Sequence, residues 1–227
     1  MRSITKRWMF ALLAISVVDC AQVIARNESP DFIANRTIAV CDKAISLNPS
    51  DAAAYNGRGG AKCVLHDYNG AIADCSKAIS LNPRYAEAYL NRGYARNEKG
   101  DRDGAIADFD KAIFMDPSYL EAYSQRGYVK CTKHDYNGAI ADYSKAISLN
   151  PSNAHTYDVR GNAKYEKGDY DGAIADFDKA ISLYSNDVDA YNGRGKAKER
   201  KGDHEGAKAD HEKAVELEVI FLRTSRD

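Results

Sequence analysis

Apolar residues recur through most of this chain in a fixed rhythm. In residues 86–119, AEAYLNRGYARNEKGDRDGAIADFDKAIFMDPSY, the positions Ala105, Ile106, Phe109, Ala112 and Ile113 are spaced by 1, 3, 3 and 1. That is the stripe of an amphipathic helix. Asp103 is placed to cap its start, and Pro117 lies just past its end. The preceding half sets Tyr89, Gly93 and Arg96 on one face at helical spacing, and Lys99-Gly100-Asp101 interrupts it. The stretch predicts a helix, a tight turn and a second helix.

The same unit is written several times over. GAIADFDKAI stands at 104–113 and again at 172–181, with GAIADYSKAI at 138–147 and GAIADCSKAI at 70–79, a period of 34 residues. A period of this length marks a repeat array. HDYNGAIAD begins at both His66 and His134, and EKGD at both Glu98 and Glu166, so alternate units match best and a two-repeat block was copied. The identical decapeptides therefore reflect duplication of a scaffold, not a catalytic string.

The recurring set Tyr89, Gly93, Ala105, Phe109 and Pro117 resembles the tetratricopeptide repeat. It returns as Tyr55/Gly59/Ala71/Cys75/Pro83, Tyr123/Gly127/Ala139/Tyr143/Pro151 and Tyr157/Gly161/Ala173/Phe177, with a fifth copy, Tyr191/Gly195/Ala207, that lacks the proline. The resemblance implies an all-α fold, an α-α superhelix (solenoid) of helix-turn-helix repeats. Its units are 52–85, 86–119, 120–153, 154–187 and 188–217. Residues 26–51 read as a capping half-repeat, with a lone second helix over Asp31 to Leu47 that starts at Ser29-Pro30 and carries Ile38, Cys41, Ala44 and Ile45 on its face. At the far end Lys208 and His211 replace apolar residues, as a solvent-facing terminal helix requires, and 218–227 is a tail with an apolar patch at Val219 to Leu222.

One departure from the family is informative. Three residues after the glycine, where the family usually has a second aromatic, this chain has Lys62, Arg96, Lys130, Lys164 and Lys198. That face lies against the second helix, where a buried charge is costly unless paired. The ladder Asp74, Asp108, Asp142, Asp176 and Asp210 supplies partners, and Arg58, Arg92, Arg126, Arg160 and Arg194 form a further basic ladder. Groups that hold each repeat to the next must recur in each, so these ladders read as scaffold.

Composition narrows the function. With 44% hydrophobic and 29% charged residues and a net charge of −1, nothing in the overall balance attracts nucleic acid. Cys63 with His66, and Cys131 with His134, stand three apart, but each pair offers two ligands where a structural zinc needs four. The alternative is that His66 and His134 take the place of the turn glycine, because histidine tolerates a left-handed backbone. Cys41 and Cys75 occupy the buried aromatic position, where core packing competes with a Cys41–Cys75 or Cys20–Cys41 disulfide. No phosphate-cradling glycine loop, nucleophile elbow or HExxH string is present, which points away from an enzyme and implies no cofactor.

The positions that vary between repeats carry the functional expectation. Helical spacing from the buried Tyr and Gly turns Glu87, Leu90, Tyr94 and Asn97 outward in the second unit, Glu121, Ser124, Tyr128 and Cys131 in the third, and His155, Asp158, Asn162 and Tyr165 in the fourth. In the family this face lines a concave groove, so the resemblance implies that it receives a peptide or protein segment. Tyr94, Tyr128 and Tyr165 are amphipathic anchors. Glu87, Glu121, Asp158, Asp189 and Glu199, opposed by Lys196, favour a basic or neutral partner with apolar side chains. The groove lacks the cations with which some family members clamp a C-terminal carboxylate. A second class of function, an accessory subunit recognising an envelope glycan or small molecule, fits the same tyrosines. An RNA-binding array fits the acidic groove poorly.

Residues 1–25 differ from the rest. Arg2, Lys6 and Arg7 precede the apolar run WMFALLAISVV at 8–18, and small residues end at Ala25. This reads as an export signal, giving a periplasmic or secreted protein. An uncleaved anchor or a lipid-modified Cys20 is a second reading, with Asp19 against the lipoprotein, and a buried first helix is a third. Only an uncleaved segment would contact the membrane. Trp8 is the sole tryptophan, so cleavage is expected to yield a protein that begins at or near Arg26 and fluoresces as a tyrosine-only protein. Intact mass and emission spectra of material from the native host check this; full-length mass with a tryptophan band contradicts it.

Overall fold

The computed structural model describes residues 29–224, and every described element is a helix. In chain order they are α1 Pro30–Leu47, α2 Ala52–Val64, α3 Tyr68–Leu81, α4 Ala86–Glu98, α5 Arg102–Met115, α6 Leu120–Thr132, α7 Tyr136–Leu149, α8 Ala154–Lys167, α9 Tyr170–Leu183, α10 Val188–Lys201 and α11 His204–Thr224. The chain forms two compact units, one ending at Ala122 and the other starting at Tyr123. Within each, a second helix packs against its own first helix and against the first helix of the following repeat. The fold is an all-α solenoid of helix-turn-helix repeats. Among the described residues, no helix is long and apolar enough to cross a membrane.

Helix boundaries follow local chemistry. The second helices α3, α5, α7 and α9 start where Asp67, Asp101, Asp135 and Asp169 accept the N–H groups of Gly70, Gly104, Gly138 and Gly172 at 2.9–3.0 Å. The cap of α5 is thus Asp101; Asp103, expected to fill that role, sits in the first turn. Ser29 caps α1 through Phe32 N–H, with Pro30 in the first helical turn. The turns need a left-handed residue. Gly100, Gly168 and Gly202 supply it at φ 84–90°, and His66 and His134 supply it at 62° and 60°. The histidines therefore stand where glycine stands elsewhere. Each accepts or donates at its neighbour's phenol, His66 to Tyr68 at 2.6 Å and His134 to Tyr136 at 2.8 Å.

Where the two helices of a repeat cross, a glycine on the first faces a larger side chain on the second. A Cβ at Gly93 would stand 2.7 Å from the Phe109 ring, at Gly127 2.9 Å from Tyr143, and at Gly161 2.9 Å from Phe177. Glycine there lets the two helices close onto the aromatic knob. Cys75 fills the knob position against Gly59, is fully buried, and has a thiol pushed up to about 12 by burial. Cys41, Cys63, Cys75 and Cys131 are free thiols, so Cys41 and Cys75 pack and do not bond; Cys20 lies outside the described residues. In the last repeat His211 takes the knob position against Gly195 and meets Asn192 Oδ1 at 3.3 Å, so it is half-buried where solvent exposure was expected.

The ladders form the spine of both units. Asp74, Asp108, Asp142, Asp176 and Asp210 are 2–5% exposed, yet each meets two cations. Arg58, Arg92, Arg126, Arg160 and Arg194 each donate a two-pronged bond through Nε and Nη2 at 2.5–2.9 Å. Lys62, Arg96, Lys130, Lys164 and Lys198 each add a contact at 2.7–2.9 Å. Each ladder arginine also lies over the tyrosine three residues before it, 5.3–5.6 Å from the ring centre. Four of them reach back to the preceding second helix: Arg58 to Asp42, Arg92 to Ser76, Arg160 to Ser144 and Arg194 to Asp178.

For Asp210, burial pushes the carboxyl up, but hydrogen bonds from Arg194 and Lys198 outweigh it and hold the pKa below the usual aspartate value. A depressed folded-state pKa adds stability that is complete above the unfolded value, near ~4, and is lost as pH falls through the folded value. Asp210→Asn is expected to cost about 2 kcal/mol at pH 7, with the gap to wild type closing in melts taken progressively below the unfolded value. A gap of equal size at neutral and strongly acidic pH contradicts the assignment.

Candidate functional site

The first helices carry the residues that vary from repeat to repeat, and the structure sorts them by exposure. On α4, Leu90 is 1% exposed and belongs to the core. Tyr94 is half-buried, packed on Ile33, Ala34, Ala61 and Val64 on one side and on Cys63, Ala71 and Ala95 on the other. Both were expected to face outward. The correction has a physical cause: α2 and α4, first helices of successive repeats, pack directly on each other, as the hydrogen bond from Asn91 Nδ2 to Asn56 Oδ1 at 2.9 Å shows. A side chain turned away from its own second helix is then covered by the neighbouring first helix. Asn97 stays partly exposed and donates to Glu98 Oε1 at 3.3 Å.

Glu87 is half-buried at the start of α4. Burial raises its pKa, and a hydrogen bond from the Asn56 carboxamide partly offsets the rise. Asn56 is 2% exposed and also donates to the Tyr85 hydroxyl at 3.3 Å. Glu121, the last variable position of the first unit, is partly buried.

In the second unit Tyr128 on α6 is 41% exposed, and Ser124 is half-buried. On α8, Asn162 is exposed and donates both to the Asp158 carbonyl at 3.0 Å and to its Oδ1 at 3.2 Å. Asp158 was expected outside but is 5% exposed, for the same reason as Leu90: α8 and α10 are in contact. Tyr165 is half-buried, stacked obliquely on Tyr170 at 5.6 Å, and accepts from Arg200 Nε at 3.3 Å. Cys63 and His66 face different partners. The buried thiol approaches the Asn91 carbonyl at 3.9 Å while the exposed imidazole holds Tyr68.

The second unit also holds an open cavity of ≈ 550 Å³, lined by Glu199, His204, Ala207, Lys208, His211, Glu212 and Val215. One period earlier, Lys208, His211 and Val215 correspond to Ile174, Phe177 and Ile181, which pack against α10. The cavity is therefore the seat in which the first helix of a further repeat would lie, with two of its three apolar positions made polar. The neighbouring Val219, Ile220 and Leu222 continue the helix of α11 and are 41–54% exposed.

Repeat length, paired helices, glycine-to-aromatic contacts and recurrent boundaries converge on one family, and its models match. A TPR repeat model covers residues 65–100 and 161–202, and a tetratricopeptide repeat model covers 86–119, 120–153 and 188–218. The chain belongs to the tetratricopeptide repeat family. Among solved structures it is similar to MamA, at 29% identity and a TM-score of 0.69 over 73% of this chain and 96% of that one. It is similar also to MamA from Desulfovibrio magneticus RS-1, at 22% identity and 0.69 over 74% and 94%. YrrB, described as a TPR protein with an unusual peptide-binding site, aligns at 22% identity and 0.68 over 82% and 98%. Among curated proteins none matches this chain.

Proposed function

We propose that this tetratricopeptide repeat chain is a non-enzymatic protein-interaction scaffold that receives a peptide or protein segment on the exposed faces of its first helices. The observation that carries the reading is a division of labour. The recurrent Arg, Lys and Asp side chains are consumed by the spine, whereas Glu87, Asn97, Glu121, Ser124, Tyr128, Asn162 and Tyr165 vary and reach solvent at least in part. Tyr128 is the most exposed aromatic among them and offers an amphipathic anchor. The peptide-binding site described for YrrB supports such a role by analogy of fold.

The partner is a basic or neutral segment with apolar side chains, reached after export. Nucleic acid is not the partner, and membrane contact belongs only to an uncleaved N-terminal segment.

The test is capture of envelope proteins on the immobilised chain, followed by affinity measurement on the purified partner. Tyr128→Ala is expected to weaken binding by about 1–3 kcal/mol and leave Tm nearly unchanged, while Leu90→Ala lowers Tm because Leu90 is core. A partner bound equally well by Tyr128→Ala, or a glycan-array signal with no protein partner, contradicts the reading.

A further inference from the structure

Within each unit a second helix carries the first helix of the following repeat, and the contact has a fixed register. Arg58 donates through Nη1 to Asp42 at 2.6 Å, Arg92 to Ser76 at 3.2 Å, Arg160 to Ser144 at 3.0 Å and Arg194 to Asp178 at 2.5 Å. These acceptors all stand at one place in the repeat. One period after Asp178 that place is taken by Glu212, which lines the open cavity on α11. Among the described residues the Glu212 side chain has no hydrogen bond or ion pair.

The chain does not fill this seat by the route its other repeats use. α9 is 14 residues long and α10 begins at Val188; one period later a further first helix would begin at Leu222, yet α11 runs unbroken for 21 residues through Thr224. The added turns extend the seat. Glu212, Val215, Val219 and Leu222 recur at spacings of 3, 4 and 3 on one side of α11, and the three apolar residues are 59%, 41% and 54% exposed. An apolar stripe left in solvent marks an interaction surface.

We propose that the open face of α11 is a docking seat for an amphipathic helix of another protein, one that delivers an arginine to Glu212. The packing of α10 on α9 supplies the chemistry of that helix. The two run antiparallel, since a short link joins them. A Cβ on Gly193, just before Arg194, would stand 2.5 Å from the Phe177 ring, and Ala190 and Ala197 share one cluster with Ile181 and Ile174. One period further on, the same register puts a small residue of the partner over His211, immediately before its arginine. Apolar residues four, eight and eleven positions before the arginine then lie over Val215, Val219 and Leu222. Three positions after it the partner meets Lys208, which replaces Ile174, and an acid is favoured there. Opposite charges at Glu212 and Lys208 fix the direction and register of the helix, while the apolar stripe supplies the burial. This seat is a second-helix face, separate from the first-helix faces assigned to the bound segment.

The experiment titrates the full chain, labelled with ¹⁵N, with an acetylated, amidated peptide of about 20 residues made to that pattern from leucine, alanine, glutamine, one arginine and one glutamate. Binding is expected to shift the amide resonances of α11. Exchanging the peptide arginine for uncharged citrulline is expected to weaken binding roughly threefold to fivefold, and Glu212→Gln to erase that difference with Tm unchanged. Val219→Asp is expected to lower the affinity about tenfold or more, whereas Tyr128→Ala leaves it as it was. Absence of binding, resonance shifts confined to other helices, or an arginine preference that survives Glu212→Gln overturns the seat. Sedimentation of the chain alone tests the remaining occupants. A dimer dissolved by Val219→Asp gives the face to a second copy, and peptide binding seen only after residues 1–25 are cleaved gives it to that segment; either result overturns the assignment to another protein.

Discussion

A carboxylate buried between two helices, held by two cations from the facing helix, is the interaction on which this structure depends. Where other members of the family close the helix pair with a second aromatic, this chain brings a lysine or arginine against the second helix. That exchange is tolerable only because an aspartate on the second helix meets it with good geometry. The two-pronged arginine bond fixes the side chain's plane, the tyrosine beneath it fixes its position, and the remaining Nη1 in several repeats reaches the preceding second helix. One guanidinium thus ties a repeat internally and to its predecessor, which is how a quasi-one-dimensional fold is held.

This constraint decides what is left for function. A charge already satisfied by two hydrogen-bonded partners has little to offer a ligand, so the repeated ladders are poor candidates for recognition despite their number. What remains is where repeats differ: an exposed tyrosine on α6, an asparagine on α8 that bonds Asp158, and a half-buried glutamate at the start of α4. The cavity at the end of α10 and α11 belongs to the scaffold logic as well. It is the open side of the last repeat, and Lys208 and His211 make it less apolar than the internal seats they replace.

Much of the fold was legible in the sequence because it is periodic. Helix pairs, repeat boundaries, the Asp partners of the basic ladder, and histidine in the glycine turn all follow from residues recurring at fixed offsets. The faces were less legible. Leu90, Tyr94 and Asp158 were placed outward by counting around a single helix, which takes no account of the neighbouring first helix that covers them. The cap of α5 was assigned two residues late, because Asp101 and Asp103 are both acceptable cap residues and backbone geometry chooses between them. The contacts of Asn56 with Asn91 and Tyr85 left no sequence signal, since Asn56 and Asn91 stand at different repeat positions and meet only on folding.

The central claim is that the basic residue three positions after the recurrent glycine is accommodated by its aspartate, and a double-mutant cycle measures that directly. Lys130→Met, Asp142→Asn and the double variant, unfolded in urea at pH 7 and moderate salt, give the coupling between the two side chains. A coupling of about 1–3 kcal/mol is predicted, with Lys130→Met alone destabilising because it removes a counter-charge from a carboxylate 4% exposed. Additive effects, with coupling within about 0.3 kcal/mol of zero, would show that the lysine is merely solvated beside the helix pair, and that the spine is not what holds the repeats together.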